Sequence, residues 1–320
     1  MAPGVLWLRM PLPFQLNHIN LWLLEDGPGF TVVDTGVGLE ETRALWERLF
    51  TAHFDGRPVT RVVVTHFHPD HFGNADWLTK RYETELWSSE REWQAAAAVH
   101  RSSAANFEAR LAHFRRHGAD EDAIRKVGRQ RGHYLRLVPT IPSTFRPLND
   151  GDALMIGGRR WDVLTVQGHS PAHACLSCAE AGVLISGDQV LPKITTNISV
   201  GPDRPIANPL RLYLDSLDRF RPMAPDTLVL PAHGLPFQGL HERLTQLLHH
   251  HEVRLGEVLD ALVEPRSAAD LLPTLFRRAL DAHQLGFALG EAIAHLHLLE
   301  AEGRAERVIG ADGVHRFRKV

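Results

Sequence analysis

Six consecutive positions, His66 to His71, carry four side chains of the kinds that bind zinc and related divalent ions: His66, His68, Asp70 and His71. His66 and His68 are two apart, so in an extended loop they face the same way and can grip one ion. Asp70 and His71 lie beyond the turn at Pro69 and can serve a second. Single candidates recur later, each beside a glycine: His169 in Q-G-H-S, Asp188 in I-S-G-D-Q-V and His233 in P-A-H-G. Glycine lets the backbone turn sharply and bring such a side chain close to an ion. A carboxylate such as Asp188 can bridge two ions. A divalent ion lowers the pKa of bound water from about 15.7 to about 7. A hydroxide shared by two ions is then the expected nucleophile, with the ions polarising a carbonyl or phosphoryl oxygen. Asp70 is the catalytic candidate, to orient that hydroxide or pass a proton to the leaving group. Twenty histidines in 320 residues also direct attention to metal chemistry.

The elements that must position these residues read as an α/β chain. Residues 17–36 are apolar and β-branched around a D-G-P-G turn, a hairpin pattern. A helix is expected over 39–54, with Leu45, Trp46 and Leu49 at helical spacing. Val62 to Val64 form a short apolar run, as a buried strand does, directly before His66. Residues 72–80 read as the start of a helix and E-T-E-L-W-S-S as a strand. The Ala-, Arg- and His-rich stretch 88–142 predicts two or three helices, in which His100, His113, His117 and His133 are expected at the surface. Strand signals return from Phe145, followed by a hairpin, a loop to about residue 205 and a last strand before His233. A long helix is expected from about Leu240 to Val263. The tail adds amphipathic helices and a hairpin with a D-G turn, an order expected of a winged-helix-like module. Cys175 and Cys178, three apart on an expected strand, point to opposite faces and read as core residues, not a disulfide.

The segment T-H-F-H-P-D-H-F-G resembles the H-x-H-x-D-H motif of the metallo-β-lactamase superfamily, and His169, Asp188 and His233 match that family's remaining ligand positions in order. The resemblance covers about residues 5–240. It implies an αββα metallo-β-lactamase sandwich with the site at one edge of two sheets. It also implies two metal ions: His66, His68, His169 and Asp188 around one, Asp70, His71, His233 and Asp188 around the other. Zinc is the implied metal, with iron and manganese as alternatives. The expected division is a catalytic domain over 1–240, with 88–142 inserted as a helical lid, and a small C-terminal winged-helix-like α+β domain over 241–320. The tail resembles that of the branch containing the β-lactamase-like protein 2 endoribonucleases.

Members of the superfamily hydrolyse several ester types, so the expected activity is cleavage of a small-molecule ester, thioester or phosphoester. The Tyr that homoserine lactonases of the family carry shortly after the bridging Asp is replaced by Gln189, Val190 and Leu191. Over 88–150, 11 Lys and Arg stand against 7 Asp and Glu. Arg115, Arg116, Arg125, Lys126, Arg129 and Arg131 either attract an anionic substrate such as a CoA thioester or merely solvate a helix surface. The alternatives are an RNA-acting or nucleic-acid-binding protein and an iron-loaded thiol-dependent oxidoreductase. Charge argues against nucleic acid: the whole chain has a net charge of -3, and 241–320 holds 10 Lys and Arg against 12 Asp and Glu. The tail is therefore expected to pack on the catalytic domain or form a homodimer. No apolar run approaches the roughly 20 residues that span a bilayer, and no signal peptide is read, so a cytoplasmic location and no membrane partner are expected.

Overall fold

The computed structural model describes residues 2–14, 16–101, 104–202 and 208–320; the end of the loop expected to run to about 205 lies outside them. Contacts divide the chain into two units: residues 1–101, 132–196 and 220–243 form one, and 102–131, 197–219 and 244–320 the other.

The first unit is built on two sheets. One has six strands in sequence order, Val5–Pro11, His18–Asp26, Gly29–Val33, Val59–Val63, Leu86–Ser88 and Arg146–Pro147. The first three run antiparallel and the rest are added in parallel. The other has five strands, Ala153–Ile156, Arg159–Val166, His173–Cys178, Val183–Gly187 and Leu228–Pro231, the last parallel to its neighbour. The alternation of side chains along a strand sends His18–Asp26 into two cores. Trp22 and Leu24 join Trp161, Leu176 and Ile185 between the sheets. Leu21 and Leu23 join Trp46, Phe50 and Leu78, which come from the helices Glu40–His53 and Ala75–Tyr82. Helices Glu90–His100 and His133–Leu137 add Ala96 and Leu137 to that outer core. This is the α/β architecture expected from the sequence. Cys175 and Cys178 are both buried thiols, as read.

The contacts split the stretch 88–142. Helices Glu90–His100 and His133–Leu137 stay in the first unit, whereas Ala104–Arg116 and Glu121–Gly128 belong to the second. There they join Pro209–Leu217, most of Leu240–Ala261, and Ala282–Ala301, which is followed by the hairpin Ala305–Ile309 and His315–Lys319. Helix Ala282–Ala301 starts at a capping box, where Asp281 Oδ1 accepts the Gln284 N–H at 2.8 Å and Gln284 Oε1 accepts the Asp281 N–H at 3.2 Å. From Ala288 to Leu299 every residue but Glu291 is buried, as in a helix that is apolar all round.

His113 and His117 are buried, at 0% and 2% exposure, which corrects the expectation of a surface position. Helix Ala104–Arg116 buries Leu111 and Phe114 together with His113, and His117 follows just past its end. Four of the six basic residues considered for anion attraction are exposed and already paired: Arg115 with Glu121, Arg125 and Lys126 with Asp122, and Arg131 with Glu108. No helix among the described residues is long and apolar enough to cross a membrane.

Candidate metal centre

Strand Val59–Val63 ends in a buried run, Val64, Thr65 and His66, and the chain then turns into the short helix Pro69–Phe72. His68 caps that helix and Pro69 starts it, where its missing N–H costs nothing. The turn therefore presents His66 and His68 before the helix, and Asp70 and His71 within it. Gly73 closes the turn against Gly38: a Cβ at Gly73 would stand 2.4 Å from Gly38 N. His169 lies on the loop after strand Arg159–Val166. Asp188 follows strand Val183–Gly187, and His233 follows strand Leu228–Pro231. Asn20 ties the last loop to the neighbouring sheet, donating to Pro231 O at 2.9 Å and Gly234 O at 2.8 Å.

All seven residues named from the sequence meet at one place. His66 Nε2 stands 2.9 Å from His68 Nδ1 and 3.1 Å from His169 Nε2. Asp188 spans the site: its Oδ2 is 3.4 Å from His169 Nε2, and its Oδ1 is 3.5 Å from both His71 Nε2 and His233 Nε2. Asp70 Oδ2 lies 3.3 Å from His233 Nε2 and 3.7 Å from His71 Nε2. Two groups stand at the ends of the site, one around His66, His68 and His169 and one around Asp70, His71 and His233, and a third, His66, His71 and Asp188, links them; within each the donor atoms lie within 4.8 Å of one another. Ligands of a tetrahedral ion with bonds of about 2.0 Å sit about 3.3 Å apart. Imidazole nitrogens that face each other at that spacing fit a shared cation better than they fit one another. His71 Nε2 and Asp188 Oδ1 are buried without a hydrogen-bond partner, which a metal ion would supply.

The electrostatics of the two groups differ. Burial, together with the neighbouring imidazoles, pushes His66 well below its usual pKa and His68 down to about 3, so both stay neutral and keep a lone pair to donate. Burial also works against charge on His71, but Asp34, Asp70 and Asp188 outweigh it and raise His71 well above the usual range. His233 is raised in the same way, against burial, by Asp188 and Asp70. Burial opposes ionisation of Asp70 and Asp188 too, yet the nearby histidines hold Asp70 down to about 2 and Asp188 well below the carboxylate range. The second group is thus a buried anionic socket that demands positive charge.

The sequence reading missed the residues that aim the ligands. Asp34 Oδ2 is 2.8 Å from His71 Nδ1, while Asp34 Oδ1 accepts the Thr65 N–H at 2.8 Å. Asp34 holds φ 62°, strained for a non-glycine residue. His18 O is 3.0 Å from His233 Nδ1, and Thr196 Oγ1 is 3.0 Å from His169 Nδ1. Each contact engages Nδ1 and turns Nε2 toward the site, the arrangement that fixes tautomer and ring orientation at metal centres. His173 accepts the Asp188 N–H at 3.1 Å and stacks on His66 at 4.8 Å. Gly187, at φ 51°, is required there, because a Cβ would come 2.4 Å from His173 Nε2. Glu92 is buried beneath the His66–His68 and His169 loops; burial raises its carboxyl, offset in part by three donors. Asp34 ends an apolar strand in V-V-D-T-G, the one sequence signal among these that could have been read.

Comparison with known proteins gives the same reading. The family model "Metallo-beta-lactamase superfamily" matches residues 15–233, and "Metallo-beta-lactamase-like, C-terminal domain" matches 255–320. The crystal structure of a beta-lactamase domain protein from Burkholderia ambifaria is 49% identical with a TM-score of 0.92, covering 100% of this chain and 93% of that one. Another solved protein, in a di-iron-bound form, is 25% identical with a TM-score of 0.50, over 74% of this chain and 98% of that one. A probable metallo-hydrolase of Bacillus subtilis, YqjP, is 26% identical over 305 residues, 93% of this chain and 92% of that protein. The acyl-coenzyme A thioesterase MBLAC2 of Gallus gallus is 31% identical over 199 residues, but the match spans only 59% of this chain and 64% of that protein. With a ligand-rich turn at a strand end and a family match over most of its length, the chain belongs to the metallo-beta-lactamase superfamily and is a metallo-hydrolase.

Proposed function

We propose that this metallo-hydrolase cleaves a thioester of an anionic small molecule, of the acyl-coenzyme A class, with two divalent ions at the centre. His66, His68, His169 and Asp188 hold one ion, and Asp70, His71, His233 and Asp188 the other. The observation that carries the reading is Asp188, whose two oxygens face the two groups separately. Bound ions supply a water of lowered pKa and a Lewis acid for the thioester carbonyl. Five imidazoles and two carboxylates without a thiolate suit zinc. Asp70, partly exposed and beside His233, is placed to hold the attacking water or return a proton to the leaving thiol. Asp34, His18 and Thr196 keep the three imidazoles turned inward.

The thioester preference is supported by the MBLAC2 name and by the match to it. Burial of helix Ala282–Ala301 supports a small substrate over a nucleic acid, because the buried face has no cations to offer a groove. An iron-loaded oxidoreductase is the second reading, favoured by the solved relative in a di-iron-bound form.

The test is elemental analysis followed by a panel of acyl-CoA thioesters, simple esters and phosphodiesters on the same sample. About two equivalents of zinc and turnover of the thioesters are expected. Turnover of phosphodiesters alone overturns the substrate assignment; iron with thiol-dependent oxygen uptake favours the second reading.

A further inference from the structure

Glu92 belongs to neither ligand group, yet its carboxylate joins the two segments that carry the first. Its Oε2 accepts the Phe67 N–H at 3.0 Å, between His66 and His68. Its Oε1 accepts the Ser170 hydroxyl at 2.7 Å and the Ala172 N–H at 2.6 Å, just beyond His169. One oxygen thus serves each segment, although His66 and His169 are 103 residues apart. Two of the three partners are backbone N–H donors and the Ser170 hydroxyl is turned to donate, so an ionised carboxylate accepts from all three. The carboxylate sits in the first turn of helix Glu90–His100, where the helix dipole favours negative charge. That helix is itself fixed, by buried Ala96 and Ala97 and by Trp93 Nε1 donating to Pro142 O at 3.0 Å. Ser89 Oγ donates to Ala172 O at 2.7 Å and pins the second segment from the same end.

We propose that Glu92 is a positioning residue: a buried anionic strut that sets the spacing of His66 and His68 against His169 before an ion arrives. This rests on the two-ion reading above. The first ion then finds three imidazoles already at coordination distance, and the ordering of two loops is not charged against its binding. Without the strut, the buried Ala172 N–H and the half-buried Phe67 N–H lose their partner, and the loops separate to hydrate them.

The experiment is cobalt(II) titration of the metal-free full chain, read by d–d absorption and by elemental analysis, on wild type, Glu92→Gln, Glu92→Asp and Ser170→Ala. Thermal unfolding of each is measured in parallel. Glu92→Gln keeps the shape but turns a donor toward a donor. It is expected to weaken one of two equivalents by roughly 10- to 100-fold, alter the cobalt spectrum and leave the other equivalent unchanged. Glu92→Asp recovers part of the loss because the charge returns, which a purely space-filling role does not produce. Ser170→Ala removes one donor only and shifts the same equivalent by less; it decides the matter if Glu92→Gln does not fold. A folded Glu92→Gln with wild-type affinities and spectrum overturns the strut and leaves the two-ion reading standing, as does an unshifted Ser170→Ala beside an unfolded Glu92→Gln. A wild type that takes up no ion overturns both.

Discussion

Two groups of buried histidines in this protein differ in what surrounds them. In the first unit, His71 and His233 face Asp34, Asp70 and Asp188, and these carboxylates raise both rings above the ordinary range. In the second unit, burial lowers His113 and His295 to about 4 and His117 and His251 to about 3. The titratable neighbours that add to burial are Arg116, His297 and His315 at His113, His113, His315 and His297 at His117, and His250 and Arg254 at His251 and His295. The ring spacings alone do not separate the groups: His117 and His297 are 6.2 Å apart by centroid, His71 and His233 6.1 Å. What separates them is convergence on shared carboxylates, which turns one group into a cation socket and leaves the other as neutral polar filling in a core. Both nitrogens of His251 and Nε2 of His117 have no hydrogen-bond partner, so that filling is costly.

The largest effect expected from this contrast is on metal content. His68→Ala should lose at least one metal equivalent and all turnover while the fold survives. His117→Leu should keep full metal content. Elemental analysis of both variants checks the pair, and the contrast fails if the second variant loses metal or the first keeps it.

The next effect is on stability against pH. The second unit's histidines have folded pKa values below the unfolded value of 6.5, so the unfolded chain binds protons more readily. Their neutral burial is compatible with full stability above about pH 6.5, and stability is lost as pH falls from there toward the folded values of about 4 for His113 and about 3 for His117. The loss is on the order of 1.4 kcal/mol for each unit by which a pKa is depressed, reduced by relaxation. Amide-exchange protection of Ala282–Ala301 in metal-free protein should fall across this window. Constant protection between pH 7 and 4.5 would show that the rings are hydrated or paired.

Thr196→Val sharpens the contrast further. It removes the 3.0 Å contact that orients His169, and should weaken one metal equivalent by about tenfold or less without changing thermal stability. A fall in stability with unchanged affinity would make Thr196 a packing residue. The smallest effect is expected at the surface. Arg125→Ala should leave KM for an acyl-CoA substrate unchanged, since the side chain is exposed and paired with Asp122. A KM raised several-fold would return the basic helix to substrate binding.

The ligands were readable because chemistry and local geometry coincide in them. His66, His68, Asp70 and His71 lie within six positions, at a strand end and around a proline, so the chain alone dictates that they share a neighbourhood. His169, Asp188 and His233 were readable only through their glycines and the family pattern. The aiming residues were not. Asp34 reaches His71 across 37 positions, and Glu92 reaches Ala172 across 80. Nothing local marks an acidic residue in the first turn of a helix as a strut, because that is also where a solvated helix places its acids. His113 and His117 misled for the converse reason: a segment rich in Ala, Arg and His reads as surface, and only packing reveals which stripe of it turns inward. Residue type and spacing along the chain thus determined which side chains could bind metal, since donor chemistry and short-range backbone geometry are properties of the sequence. Which imidazoles meet carboxylates, which pack among other imidazoles and arginines, and which carboxylate ties two distant loops together were decided by tertiary structure, because those contacts depend on chain segments that approach only when the sheets and helices pack.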